Sequence, residues 1–256
     1  LSAPVAPRPF VAASGISKSY GQVAALRDVS IELPEGETTA LVGDNGAGKS
    51  TLIKILCGVI QPDEGSLTVN GEEVTFASPR ESRAAGITAV YQDLALADNL
   101  SVADNVFLGR TPTRRLRVDR GRMAREAAEV LGELGINVPS VKSRVETLSG
   151  GQRQSVAIAR AVHEGGRMMI LDEPTAALGV QESKKVLKII QDLRHRGIAT
   201  LVVSHNLEHV FNLADRIVVL RGGRLVGTRR RSETSHSEIV HMIVGGDMGR
   251  ALNESE

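Results

Sequence analysis

The sequence predicts an α/β fold: a parallel sheet covered on both faces, preceded by an antiparallel β region and interrupted by a helical region. Three observations predict it. Between residues 167 and 220, continuous apolar runs alternate with amphipathic helical stretches, the pattern of parallel strands buried on both faces. Before residue 92 the chain reads as short β-type runs divided by turn residues. Between these two parts, Met123, Ala127, Val130, Leu131 and Leu134 recur on one helical face.

Taken in order, strands are expected over 10–13, 29–33 and 38–42, a helix over 49–57, and strands over 65–69 and 86–91. The one-faced helix around 123–134 follows, then a second marked by Ala157, Ile158, Ala161 and Val162. The alternating part reads as strand 167–171, helix 181–196, strand 199–203, helix 207–213 and strand 216–220. Arg221-Gly222-Gly223-Arg224 has the glycine pair of a tight hairpin, and a last helix is expected over 235–244. Residues 1–9 carry little to bury and read as a disordered leader, with a flexible tail over 248–256. No internal repeat is visible.

Composition excludes several classes. The 256 residues hold 31 basic against 30 acidic side chains, so no overall field draws in nucleic acid or anionic lipid. The single cysteine, Cys57, forms no disulfide framework and reads as a small apolar residue packed in a helix. No apolar run approaches the ~18 residues of a membrane span, and no signal sequence is read at the start. The expectation is a cytosolic protein that meets a membrane only through a partner.

Gly43, Asp44, Asn45, Gly46, Ala47, Gly48, Lys49 and Ser50 fit G-x-x-x-x-G-K-[ST] between a strand and a helix. The glycines allow successive N–H groups to turn inward around a phosphate, and the helix start adds its positive end. Lys49 is expected to reach the β- and γ-phosphates of ATP, Ser50 to offer its hydroxyl to Mg²⁺, and Thr51 to donate to the α-phosphate. The chain therefore reads as a P-loop NTPase. The apolar run at 168–171 ends in Asp172-Glu173-Pro174, which puts two carboxylates where parallel sheets bind ligands. Asp172 is expected in the Mg²⁺ shell and Glu173 beside the attacking water. Between the phosphate loop and that strand, Ser149-Gly150-Gly151-Gln152 opens an amphipathic helix with cap chemistry and bare N–H groups, a second anion-binding start.

With LSGGQRQ at 148–154 following GDNGAGKST at 43–51, and MMILDEP at 168–174 preceding Ser204-His205, the chain resembles the nucleotide-binding domains of ABC transporters over about residues 10–247. The resemblance implies that Tyr20, in KSYGQ, stacks on adenine. It implies that Gln92, in VYQD, senses Mg²⁺ and γ-phosphate and touches the membrane partner. Glu173 matches the catalytic carboxylate and His205 the switch histidine. Residues 93–164 correspond to the helical subdomain that docks on the transmembrane permease. Where the family usually continues S-A-L-D, this chain has Ala176-Ala177-Leu178-Gly179, so that aspartate's cross-dimer contact is absent while Glu173 and His205 remain.

The resemblance further implies two copies joined head to tail, ATP on Lys49 of one being closed over by Ser149 and Gly151 of the other. Residues 90–110 and the DEPTAALG stretch look most similar to monosaccharide importers of the ribose/xylose/fructose type, in single-cassette form. That implies an ATPase peripheral to the cytoplasmic face of the membrane, served indirectly by a periplasmic or extracellular solute-binding protein. Rival readings are the ATPase of an exporter, or a non-transport ATPase acting on nucleic acid or the ribosome. The second has only the basic clusters at 114–122 and 229–231 in its favour, without interleaved aromatics, so no nucleic acid partner is expected. A simple P-loop kinase leaves LSGGQ unexplained.

Overall fold

Two long strands begin the computed structural model, which describes residues 9–245. β1 (Pro9–Tyr20) and β2 (Val23–Pro34) pair antiparallel from Pro9 opposite Pro34 to Tyr20 opposite Val23. Both run well beyond the expected 10–13 and 29–33. Their outer halves carry polar residues and register shifts, which break the alternation that marks a strand in sequence. Pro9, expected in a loose leader, is instead the first residue of β1, a position where its missing N–H does no harm. The rest of that leader and the 248–256 tail lie outside the described residues.

β3 (Thr38–Val42) leads through the phosphate loop into α1 (Lys49–Leu56). β4 (Glu64–Val69) and β5 (Glu72–Val74) then complete a four-stranded antiparallel sheet ordered β2-β1-β4-β5. α2 (Pro79–Ala84) has Ser78 as N-cap and proline in its first turn, a start signal that sequence reading passed over because the helix is so short. β6 (Ile87–Val90) follows.

The helical part comes next: α3 (Val102–Val106), a small hairpin of β7 (Thr113–Arg114) and β8 (Arg117–Val118), α4 (Arg120–Glu133) and α5 (Gly150–His163). α3 was not expected; it is held by a capping box between Ser101 and Asp104. The remaining elements are β9 (Met168–Asp172), α6 (Val180–His195), β10 (Ala199–Val203), α7 (Leu207–Leu213), β11 (Arg216–Arg221), β12 (Arg224–Arg230) and α8 (His236–Val244). Gly222 and Gly223, both at positive φ, make the expected β11–β12 turn.

The main sheet runs β12-β11-β3-β10-β9-β6, parallel except for β12. Its two-sided burial is visible within β9. Met169 and Leu171 point into the core shared with α4, α5 and α6, while Met168 and Ile170 face α1 and the antiparallel sheet. A third cluster joins Ala40, Val42, Ile217 and Val219 to α7 and α8. Cys57 is buried at the end of α1, where burial pushes its thiol up to about 11, leaving it protonated and inert.

Candidate functional site

Four adjacent parallel strands end along one edge of the main sheet, and each delivers a different part of the site. β3 leads into the phosphate loop, β10 into Ser204-His205, β9 into Asp172-Glu173, and β6 into Tyr91-Gln92. The register aligns them: Val203 lies beside Leu41 on one side and Asp172 on the other, and Leu171 beside Val90. Ligands bind parallel sheets at this edge, beyond the carboxyl ends of the strands.

The loop's glycines are required by contact as well as by conformation. At Gly43, with φ 152°, an added Cβ would lie 2.2 Å from the Leu220 carbonyl oxygen. At Gly48, with φ 102°, it would lie 2.6 Å from the Ala25 carbonyl oxygen. β2 therefore presses directly on the loop. That contact sets Ala25 and Leu26 of β2 against the phosphate loop, and Tyr20, 49% exposed, lies near the tip of the same β1–β2 hairpin. Ala47 is buried beneath the loop, whereas Asp44, Asn45 and Gly46 are exposed on it.

Lys49 Nζ folds back to donate to the carbonyl oxygens of Gly43 and Asp44, both at 2.7 Å. Burial pulls its pKa below the ordinary lysine value, against the opposing charges of Asp44, Glu173 and Asp172. Asp172 moves the other way: burial raises it first, the neighbouring Glu173 charge adds to this, and Lys49 opposes. Ser50 is exposed and Thr51 half-buried in the first turn of α1. A serine hydroxyl and an aspartate carboxylate are hard oxygen donors of the kind Mg²⁺ takes together with phosphate oxygens and water, so these residues fit that ion.

Glu173 holds a left-handed backbone, φ 50°, uncommon for a residue with a side chain. Its N–H donates to the Val203 carbonyl at 2.9 Å, which ties this turn to β10. Its Oε1 accepts from the His205 backbone N–H at 3.1 Å and lies 2.8 Å from His205 Nδ1. The pair is thus assembled, with the histidine ring largely exposed and the carboxylate largely buried. Gln92 is exposed just past β6, and the segment after it is anchored by Arg160 of α5, which donates to the Leu94 and Ala95 carbonyls at 2.8 Å each.

Ser149, Gly150, Gly151 and Gln152 lie apart from this edge. They open α5 on a groove of about 530 Å³ lined by Ile136, Asn137, Glu182 and Lys188 among others, to which the phosphate loop contributes nothing. Ser149 and Gln152 form a capping box: the serine hydroxyl accepts from Gln152 N–H at 3.4 Å, and Gln152 Oε1 accepts from Ser149 N–H at 3.0 Å. The rest of the Gln152 amide donates to the Asn137 carbonyl at 3.1 Å, so this side chain is engaged within the chain.

Sequence reading missed Glu182. A Cβ on Gly151 would come 2.9 Å from Glu182 Cβ, and hydrogen bonds from the Ser149 hydroxyl and the Gly151 and Gly179 N–H groups hold its carboxyl below the usual range. The available signal was its place three residues after Gly179, the N-cap of α6, where an acid favours a helix start.

The ABC transporter family matches residues 26–176. The xylose/arabinose import ATP-binding protein of Sulfolobus acidocaldarius is 43% identical, with 92% of this chain and 94% of that protein covered. The fructose import ATP-binding protein of Rhizobium meliloti is 45% identical, over 94% of this chain and 96% of its own. A ribose import ATP-binding protein of Rubrobacter xylanophilus is 49% identical over 90% of this chain, which spans 45% of it. Among solved structures, a nucleotide-free ATP-binding cassette from an ABC transporter superposes with TM-score 0.81 at 25% identity, covering 93% of this chain and 96% of its own. A dimeric cassette in a post-hydrolysis state bound to ADP and Pi gives 0.73 at 26%, covering 86% and 98%. A phosphate loop and a separate LSGGQ helix start within one subunit accord with these likenesses, and the chain belongs to the ABC transporter family as one of its ATP-binding cassettes.

Proposed function

We propose that this chain binds and hydrolyses ATP with Mg²⁺ to energise import of a monosaccharide, as a peripheral subunit on transmembrane permease partners. One observation carries the chemistry: four adjacent strand ends bring Lys49, Asp172, Glu173, His205 and Gln92 to a single edge. Relatives named for import of xylose/arabinose, fructose and ribose support the transported class. A solute-binding protein outside the membrane belongs to the same reading.

In this mechanism the loop N–H groups and Lys49 hold the phosphates of ATP, Lys49 exchanging its two carbonyl partners for phosphate oxygens. Ser50 and Asp172 would hold Mg²⁺, which would supply positive charge against the phosphate oxygens. Gln92, exposed just past β6, would add its side chain to the same ion and approach the γ-phosphate. Glu173 accepts the proton of the attacking water, while His205, its Nδ1 held 2.8 Å from Glu173 Oε1, offers an N–H from its other ring nitrogen to the γ-phosphate. The transferring phosphoryl charge is stabilised by Lys49 and by the α5 start of a second copy at Ser149 and Gly151. The dimeric ADP- and Pi-bound relative supports that arrangement.

The test uses cells in which this chain carries Lys49→Ala. Uptake of labelled ribose, xylose or fructose should fall to background, with Mg²⁺-dependent phosphate release lost in the purified variant. Unchanged uptake of every monosaccharide tried, beside lost hydrolysis, would remove the sugar and keep the ATPase.

Tyr20 gives a finer test. Base–aromatic stacking is worth about 1–3 kcal/mol, so Tyr20→Ala should weaken ATP binding by that amount and Tyr20→Trp should preserve it. Titration with a fluorescent ATP analogue reads the difference; equal affinities in all three proteins would leave Tyr20 no part in binding.

A further inference from the structure

The helical region carries six arginines within residues 110–122 (Arg110, Arg114, Arg115, Arg117, Arg120 and Arg122) against one acid, Asp119, although the whole chain has a net charge of only +1. The fold accounts for two of them. Arg110 donates to the Glu164 carbonyl at 2.9 Å, and Arg122 pairs with Glu126 at 2.6 Å. Among the described residues, no ion pair includes Arg114, Arg115, Arg117 or Arg120. The other basic cluster is absorbed by contrast: Arg229 pairs with Glu238, Arg230 with Glu37, and Arg231 donates to the Phe211 carbonyl.

The β7–β8 hairpin displays the unpaired charges in a way that folding alone disfavours. Arg114 stands directly opposite Arg117, a like-charge cross-strand pair. The two turn residues, Arg115 and Leu116, have φ of 47° and 67°, where tight hairpins prefer asparagine and glycine. Leu116 is fully exposed at the tip, and Val118 is exposed beside it. The hairpin is nevertheless fixed at its base. Asp119 N–H donates to the Pro112 carbonyl at 2.9 Å, and the Asp119 side chain caps α4 through Arg122 N–H.

We propose that this hairpin is a contact for the anionic phosphates of membrane lipid headgroups. The proposal rests on the reading that the cassette works against a membrane. Guanidinium groups match phosphate oxygens in a planar fork, and an anionic leaflet relieves the repulsion between Arg114 and Arg117. Leu116 then leaves water for the boundary between headgroups and acyl chains, as apolar residues of interfacial segments do. Nucleic acid fits less well, because residues 108–122 contain no aromatic on which a base could stack. An acidic protein surface would match the charges and leave the exposed leucine without a role.

The test is co-sedimentation of the whole chain with vesicles of phosphatidylcholine alone or mixed with phosphatidylglycerol, with ATP turnover measured on the same preparations. The wild-type chain should sediment with the mixed vesicles only. Binding should fade between 0.1 and 1 M salt, as the screening length drops from about 10 to about 3 Å. Replacing Arg114, Arg115 and Arg117 together by glutamine should lower partitioning on the order of 10²-fold, whereas lysine at all three should retain most of it. Leu116→Ser should lower it about tenfold. ATP turnover should stay at the wild-type level in every variant, which also reports that each is folded. Equal partitioning of wild type and the glutamine variant, equal binding to phosphatidylcholine alone, or capture by a single-stranded oligonucleotide without vesicle binding would each overturn the lipid contact and leave the ATPase standing. Absence of turnover in the wild type would count against the functional reading instead.

Discussion

Glu173→Gln is expected to keep ATP affinity and to lower turnover on the order of 10²-fold or more, the usual worth of a positioned general base. The substitution is nearly isosteric, so the amide oxygen can still accept from the His205 backbone N–H that now donates to Glu173 Oε1 at 3.1 Å. The turn at Glu173 is held by its own backbone bond to Val203, which the side chain does not enter. What changes is the proton acceptor. With hydrolysis blocked and binding intact, ATP should accumulate between two copies, so elution volume with Mg²⁺ and ATP should shift to that of a dimer. Phosphate release and size exclusion read the two consequences separately. Turnover at the wild-type rate would take the role of base away from Glu173, whatever the elution volume.

The parts of this site were legible in the sequence to different depths. The phosphate loop and the Asp172-Glu173 pair could be read because spacing and position at strand ends state their chemistry directly. The parallel strands could be read because burial on both faces makes each a continuous apolar run, as at β9 and β10. Gln92 and His205 became candidates only through resemblance. A lone glutamine or histidine after a strand carries no pattern, and what unites them is the order β3-β10-β9-β6, which no one-dimensional pattern encodes. The outer halves of β1 and β2 were lost for the opposite reason: bulges and polar residues conceal a strand whose pairing, though interrupted, continues to Tyr20 opposite Val23. α2 and α3 were too short for periodicity, and only their caps marked them. Glu182 escaped because its relation to Ser149 and Gly151 joins two helices some thirty positions apart.

A mixture of Lys49→Ala and Ser149→Arg proteins is expected to hydrolyse ATP although neither protein does so alone. The phosphate loop and the α5 start lie apart within one subunit, Ser149 opening on a groove to which the loop contributes nothing. If each ATP is held by Lys49 of one copy and Ser149 of another, two-fold symmetry gives two equivalent sites. In either homodimer every site then carries one lesion. In the heterodimer both lesions fall at one site and the other is intact, so activity should return to about half that of the wild-type dimer per heterodimer, by the same symmetry. Lys49→Ala removes the ammonium now hydrogen-bonded to Gly43 and Asp44. Ser149→Arg removes a helix cap, which costs about 1 kcal/mol, so melting temperatures must be compared to show that both proteins are folded. Phosphate release is measured at high protein concentration, or in the transporter assembled with its membrane partners, so that dimers form. Normal hydrolysis by Ser149→Arg alone would reduce LSGGQ in this chain to a helix cap. An inactive mixture of two folded, dimerising proteins would place both residues at a site within one subunit, which the separation of the groove from the phosphate loop argues against.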